Sequence, residues 1–311
     1  MELGASIVHR HWWDFTCLEQ SLAEQAASMT LEDVVKLAND QCHIKVYDKL
    51  DDMFLSQALE YITCWQQATE EAPAGLCGPV GPTAQMPIVA KLVNELNIDL
   101  KNCHFWGMDE WCIDGESVSM EHPLSFKGAN YRHWYDKIKP ELRMPEENLH
   151  FPTSSNLEQF SNSFNKYRCI KMQGGLGHAL HWAFNDPFPR TGAYKVAPPS
   201  VKEYQKLGAR HVQLHPISQI QNATGLSGRD ISQMPNTAVT VGPKETFLSE
   251  EVSIWYPGHN QNPFGLKLSI LMIANDIKSS VAPISVLADH KKITFHLYGP
   301  SIVSCEGKIN A

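Results

Sequence analysis

The sequence predicts an α/β fold in which parallel strands alternate with crossover helices. Short apolar runs of strand length recur along the chain, and in its first third each is followed by apolar residues at helical spacing. Strand, helix, strand, helix, strand is the rhythm of a parallel sheet, because a parallel neighbour is reached only by a connection that returns along the sheet. The 311 residues are 43% hydrophobic, enough to cover such a sheet on both faces.

The elements follow in order. Residues 1–40 read as an amphipathic helical extension, and T-L-E-D at 30–33 resembles a capping box that opens a short helix. H-I-K-V-Y (43–47) is a strand, and residues 51–67 form a helix with Leu55, Leu59 and Ile62 on its apolar face. A-P-A-G-L-C-G (72–78) is a strand running into a turn. Residues 84–96 are a helix with Ile88, Leu92 and Leu96 at helical spacing and Val89 and Val93 beside them. C-H-F-W-G-M (103–108) is a third strand, and it leads straight into Asp109 and Glu110. R-C-I-K-M (168–172), A-V-T-V-G (238–242), V-S-I-W-Y (252–256) and I-T-F-H-L-Y (293–298) continue the strands, with L-K-L-S-I-L-M-I-A (266–274) a helix between the last two. Stretches 110–135 and 187–235, rich in Pro, Gly, Ser and Asn, read as irregular, and loops of that length are usually lids or binding loops. The organisation is a helical extension, 1–40, followed by a single α/β domain, 41–311.

Composition narrows the function. The net charge is −8 and no Lys/Arg block occurs, which argues against nucleic acid and against an anionic membrane surface. The N-terminus lacks a basic region followed by an apolar run, and no apolar run is long enough to cross a bilayer. Eight cysteines without a C-x-x-C pair read as reduced, mostly buried thiols of a cytoplasmic protein.

In an open parallel sheet ligands bind beyond the carboxyl ends of the strands, and three stretches occupy that place. G-P-V-G-P-T (78–83) offers Gly78, Gly81 and Thr83 between a strand and a helix, either as an anion-binding loop or as a structural turn. M-D-E-W (108–111) sets Asp109 and Glu110 just after a strand, where a carboxylate of raised pKa can move protons or cap the next turn. G-G-L-G-H-A-L-H-W-A-F-N-D-P (174–187) brings Gly174, Gly175 and Gly177 together with His178, His181 and Asp186. There Asp186 can orient His181 by accepting its second ring proton, and a satisfied structural histidine is the plainer alternative.

Taken together, these stretches resemble the glucosamine-6-phosphate isomerase/deaminase family over roughly residues 40–300. M-D-E-W followed by E-H-P-L-S (121–125) is similar to the family's M-D-E-Y and E-H-P-x-S. The 174–187 stretch matches G-G-x-G-x-D-G-H-I-A-F-N-E-P without a gap, and A-V-T-V-G and S-V-L-A-D-H (285–290) match later motifs. The resemblance implies a three-layer αβα sandwich with a mostly parallel, Rossmann-like sheet, a sugar or sugar phosphate as the small-molecule partner, no cofactor or metal, and a homo-oligomer. It implies that Asp109 shuttles a proton between C2 and C1 of an aminosugar, that His181 assists ring opening, and that Asp186 stands where the family carries glutamate.

The departures concern the substrate. Ala179 replaces a supporting aspartate, Leu180 replaces a glycine and brings bulk beside the sugar, and His178 replaces a small polar residue. G-H-N-Q (258–261) places neutral Gln261 where the family carries a phosphate-binding lysine, and H-P-I-S-Q-I-Q-N-A (215–223) lacks an arginine; Lys244 and Lys267 are the candidates to restore a cation. At about 1.5–3 kcal/mol per charge-assisted hydrogen bond, losing two cations weakens phosphate binding by about two to four powers of ten. The expected function is therefore an aldose–ketose isomerase/deaminase with an altered sugar. The alternatives are a non-catalytic sugar-binding homologue, a 6-phosphogluconolactonase-like hydrolase, and a metal enzyme through His178 and His181 if those residues are helical.

Overall fold

The computed structural model of the chain describes residues 10–80, 83–258 and 262–305. Its strands are β1 (Cys42–Tyr47), β2 (Ala74–Gly78), β3 (Cys103–Gly107), β4 (Asp109–Ile113), β5 (Glu116–Ser117), β6 (Leu149–His150), β7 (Arg168–Gly174), β8 (Arg210–Gln213), β9 (Thr237–Thr240), β10 (Glu251–Tyr256) and β11 (Ile293–Tyr298). Its helices are α1 (Gln20–Ser28), α2 (Leu31–Lys36), α3 (Leu50–Trp65), α4 (Gln85–Glu95), α5 (Phe126–His133), α6 (Leu157–Lys166), α7 (Val201–Gln205), α8 (Pro216–Leu226), α9 (Pro243–Thr246) and α10 (Pro263–Ala274).

Seven strands form one sheet in the order β1-β11-β10-β7-β2-β3-β6, and every neighbouring pair is parallel. Alternation along the strands sorts the two faces. Leu76 and Phe105 pack with residues of α3 and α4, whereas Cys77 and Trp106 pack with residues of α6 and α10 on the other side. The result is the three-layer αβα sandwich. From β2 the chain moves to β3 and β6 on one side, and from β7 it moves to β10 and β11 on the other, so the winding reverses between β2 and β7. That reversal opens a crevice at the strands' carboxyl ends.

A second, antiparallel sheet was not anticipated. Its order is β5-β4-β9-β8, with Trp111, Phe126, Phe184, Leu214 and Ala238 as its core. Residues 238–240, expected to extend the parallel sheet, belong here instead. The 110–135 and 187–235 stretches, expected to be irregular, contain β4, α5, β8 and α8. The helical faces match expectation only in part. Leu55 and Leu59 of α3 and Leu96 after α4 are exposed, whereas Ile62, Val89 and Val93 pack in the core as expected, joined there by Tyr61, Trp65 and Met86.

The N-terminal segment is secured by side chains. Thr30 and Asp33 form the expected capping box of α2. Trp12 packs its edge on the His215 ring at 5.1 Å, and the Trp13 indole N–H donates to the Tyr194 carbonyl at 2.8 Å. Both tryptophans are buried, so they anchor the segment to the body of the fold. Buried Lys267 of α10 donates to the carbonyls of Ala27, Met29 and Val303 at 3.0–3.2 Å and lies away from the cavity described below. Lys244 does not line that cavity either, so neither lysine supplies the missing cation.

Under α3 the sheet carries a row of polar side chains on four adjacent strands. Glu60 of α3 accepts from Lys171 (2.7 Å), Gln173 (2.9 Å), Ser253 (2.8 Å) and the Trp255 indole (3.1 Å). Lys171 also meets Glu251 at 3.1 Å, and His296 of β11 stacks on Trp255 at 3.7 Å and joins Tyr47 of β1 at 2.9 Å. Burial works to raise the Glu60 pKa, but His296 and Lys171 overcome it and hold the carboxyl well below its usual range. Six of the eight cysteines are buried, while Cys17 is exposed, and among the described residues none forms a disulfide. Among the described residues no helix is long and apolar enough to cross a membrane.

Candidate active site

A cavity of about 670 Å³ opens at the winding reversal, within the range of small-molecule sites. Segments following four parallel strands supply its floor: Pro79 and Val80 after β2, Met108 and Asp109 after β3, Gly175–Gly177 after β7, and Pro257 and Gly258 after β10. Helices α5 and α8 form two of its walls.

Asp109 stands where the chain leaves the large sheet for the small one. Met108 donates to the Gly78 carbonyl (3.3 Å) and accepts from the Val241 N–H (2.8 Å), and Asp109 then pairs with Thr240 in the antiparallel ladder. Its carboxylate accepts from the Phe184 N–H at 3.1 Å. Burial pushes the pKa up to about 7, against hydrogen bonds from Thr240 and Phe184 and the charge of His181. Glu110, the next residue, points elsewhere, as strand alternation requires. Its two oxygens accept from the N–H groups of Trp111, Phe126 and Lys127 and from the Ser125 hydroxyl, at 2.9–3.0 Å. It therefore caps the N-terminus of α5 and does not line the cavity.

His181 lies on the turn after β7 and is buried at the cavity wall. Its Nδ1 is held by the Asp186 carboxylate, so the aspartate reaches the ring directly. Asp186 also accepts from the Ser218 hydroxyl (2.7 Å) and the His215 N–H (2.8 Å), and Ser218 lies 3.0 Å from the same ring nitrogen. With Nδ1 committed, Nε2 is the nitrogen available to a ligand. The turn is closed by Gly177 N–H to His181 carbonyl (3.2 Å) and Leu180 N–H to Gly177 carbonyl (3.0 Å).

Leu180 adopts φ +55°, a left-handed conformation that costs a branched residue about 1–2 kcal/mol. Its side chain is buried in the main core rather than beside the cavity, which corrects the expectation of bulk near the sugar. Ala179 is likewise buried outside the lining. The 175–184 stretch is not helical, so the condition for His178 and His181 to share a helix face is not met. His178 takes its backbone N–H to Gln221 (2.6 Å) and does not line the cavity. Among the described residues no group of three or more His, Cys, Asp or Glu is placed to hold a metal ion.

The expected binding residues divide. Thr83, Gly175 and Gly177 line the cavity. Gly78 and Gly174 do not: a side chain there would strike Tyr61 or Trp182, at 2.6 and 2.7 Å. Gly81 and Gln261 lie outside the described residues. Gly177 is the sharpest constraint, since a Cβ would fall 1.8 Å from His181 Nε2. Gly177→Ala is expected to displace the imidazole and lower kcat by about 10²-fold, with Tm changed little, in a steady-state assay of purified protein. Sequence reasoning missed Ser218 and Arg132 because both reach the site from the helices α8 and α5, in stretches read as irregular.

The fold and the site define a doubly wound α/β protein with an acid and an imidazole–carboxylate pair at the winding reversal. No family model matches the chain. It is 25% identical over 202 residues to the glucosamine-6-phosphate deaminase of Vibrio parahaemolyticus serotype O3:K6, covering 62% of this chain and 67% of the relative. It is 24% identical over 204 residues to that of Vibrio cholerae serotype O1, covering 63% and 68%. A monomeric glucosamine-6-phosphate deaminase superposes with a TM-score of 0.64 at 17% identity, over 84% of this chain and all of that one. The 6-phosphogluconolactonase of Trypanosoma brucei superposes at 0.54 with 12% identity, over 85% and 98%; both likenesses speak for the fold alone. The chain is thus similar in sequence to glucosamine-6-phosphate deaminases and shares the fold of the deaminase structure.

Proposed function

We propose that the protein converts an aminosugar, phosphorylated or bearing another polar group, into the corresponding ketose with release of ammonia. The observation that carries this reading is the convergence of Asp109 and the His181–Asp186 pair on one cavity. His181 Nε2 takes the O1 proton and returns it to the ring oxygen, opening the ring, while Asp186 and Ser218 hold the imidazole orientation. Ionised Asp109 then removes the C2 proton, giving an enolamine, and delivers it to C1. Water attacks the resulting C2 iminium, and the C2–N bond breaks to leave ketose and ammonia. A carboxylate poised near pH 7 suits both halves of that transfer, because it accepts and donates at similar cost.

Glu110 serves in this reading as a positioning residue that sets α5 against the site, and the cytoplasmic homo-oligomer expected from the sequence belongs to the same proposal. Ammonia release from glucosamine 6-phosphate and glucosamine by purified protein tests it; no turnover across an aminosugar panel refutes it. The pH profile is a second check. Only ionised Asp109 abstracts the proton, so kcat/KM is expected to rise with pH through about 7, where an ordinary aspartate would already be flat. A rise centred near pH 4 would show that burial does not raise the Asp109 pKa.

A further inference from the structure

The cavity has a second chemical pole. Ser125, Phe126, Ala129, Arg132 and His133 all line it, so α5 lays one stripe of its surface along the wall from end to end. Phe126 packs on Phe184 at 6.0 Å, and the Phe184 N–H binds Asp109, which puts the start of α5 at the proton-transfer end. Arg132 lies about 9 Å further along the helix axis. Its guanidinium is laid back over Gly128, where a Cβ would come within 2.7 Å of Nη1, so the missing side chain leaves the head group its place. Arg132 is exposed, and among the described residues it makes no hydrogen bond or ion pair. Of the described lining residues, Asp109 is the only carboxylate and Arg132 the only permanent cation.

We propose that Arg132, flanked by His133, is an anion subsite that selects a sugar carrying a phosphate or carboxylate remote from C1 and C2. This rests on the reading of the cavity as an aminosugar site. A planar guanidinium presents paired donors that match either anion, and an unpaired cation on a cavity wall keeps those donors available. The subsite lies on α5, apart from the glycine loop after β2 and the segment after β10, so it gives the cavity a cation that Lys244 and Lys267 do not.

Calorimetric titration of the full chain tests it, with wild type, Arg132→Gln and Arg132→Lys each titrated with glucosamine 6-phosphate, glucuronate and glucosamine. Wild type is expected to bind one of the two anionic sugars about 10–100-fold tighter than glucosamine. Arg132→Gln is expected to lose most of that preference while binding glucosamine unchanged, and Arg132→Lys to keep part of it. Which anionic sugar binds tighter identifies the group as phosphate or carboxylate. An anion preference that survives in Arg132→Gln, an equal loss for glucosamine, or a wild type without any anion preference overturns the subsite. Arg132-dependent binding without ammonia release refutes the deaminase reading and leaves the subsite in place. Ammonia release whose KM ignores Arg132→Gln does the reverse.

Discussion

Replacing Asp109 by asparagine is expected to lower kcat for ammonia release by about 10²–10⁴-fold, the usual contribution of a positioned general acid–base. The fold should survive, because an amide oxygen can still accept from the Phe184 N–H. Stability provides the control that separates lost chemistry from lost structure. The folded pKa of Asp109 lies above its unfolded value, so between about pH 4 and 7 the folded state binds the extra proton and the wild type loses stability as pH rises. The asparagine variant lacks that loss. Its Tm at pH 8 should equal or exceed the wild-type value while its activity is nearly gone. A variant that is both inactive and strongly destabilised at pH 8 would show that Asp109 acts in folding rather than in proton transfer.

The largest stability effect is expected from Glu60→Ala. The substitution removes the acceptor shared by Lys171, Gln173, Ser253 and the Trp255 indole, all beneath α3. Breaking a buried ion pair from one side costs about 3–5 kcal/mol, and the remaining contact of Lys171 with Glu251 at 3.1 Å sets the expected value toward the low end. Urea denaturation at pH 7 reads it directly, with Glu60→Gln as the milder comparison that keeps an acceptor in place. The sign of the pH dependence follows from the depressed folded pKa. Glu60 contributes stability above the ordinary glutamate range, and that contribution is lost as pH falls through the lower folded value. Glu60→Gln should therefore show a flatter loss of stability in acid than wild type. Because Trp255 lines the cavity, Glu60→Ala should also raise KM, which a purely structural pair on a remote surface would not do.

The parts of this fold that were legible in the sequence are those governed by burial alone. The strands β2, β3, β7, β10 and β11 stand out as apolar runs because both faces of a central parallel strand are covered, while β1, at the sheet edge, shows only as a short β-branched stretch. The same signal misassigned residues 238–240, since an apolar run reports that a strand is buried and not which sheet buries it. Leu55, Leu59 and Leu96 are exposed although Ile62, Val89 and Val93 are buried, because apolar spacing marks a helix without fixing which of its apolar residues the sheet covers. Helix α5, F-K-G-A-N-Y-R-H, has no repeating apolar spacing, and its start is set by Ser125 and by Glu110 from another element. Arg132 was invisible for that reason. The acid, the histidine and Asp186 could be found because they sit within contiguous motifs. The roles of Glu110, Ser218 and Leu180 depend on contacts or a backbone angle that no local pattern encodes.

Residues 27–47 and 267–303 are interlocked, with a consequence for the order in which the fold is completed. The first strand, β1, hydrogen-bonds to β11 as its one neighbour in the large sheet, and the ammonium of Lys267 grips carbonyls at Ala27, Met29 and Val303 together. A nascent chain emerging from the ribosome cannot complete either junction until residues 293–303 have been translated. Trp12 and Trp13 can dock once residues 188–215 are present, whereas the carbonyls of Ala27 and Met29 and the edge of β1 stay unsatisfied until α10 and β11 arrive.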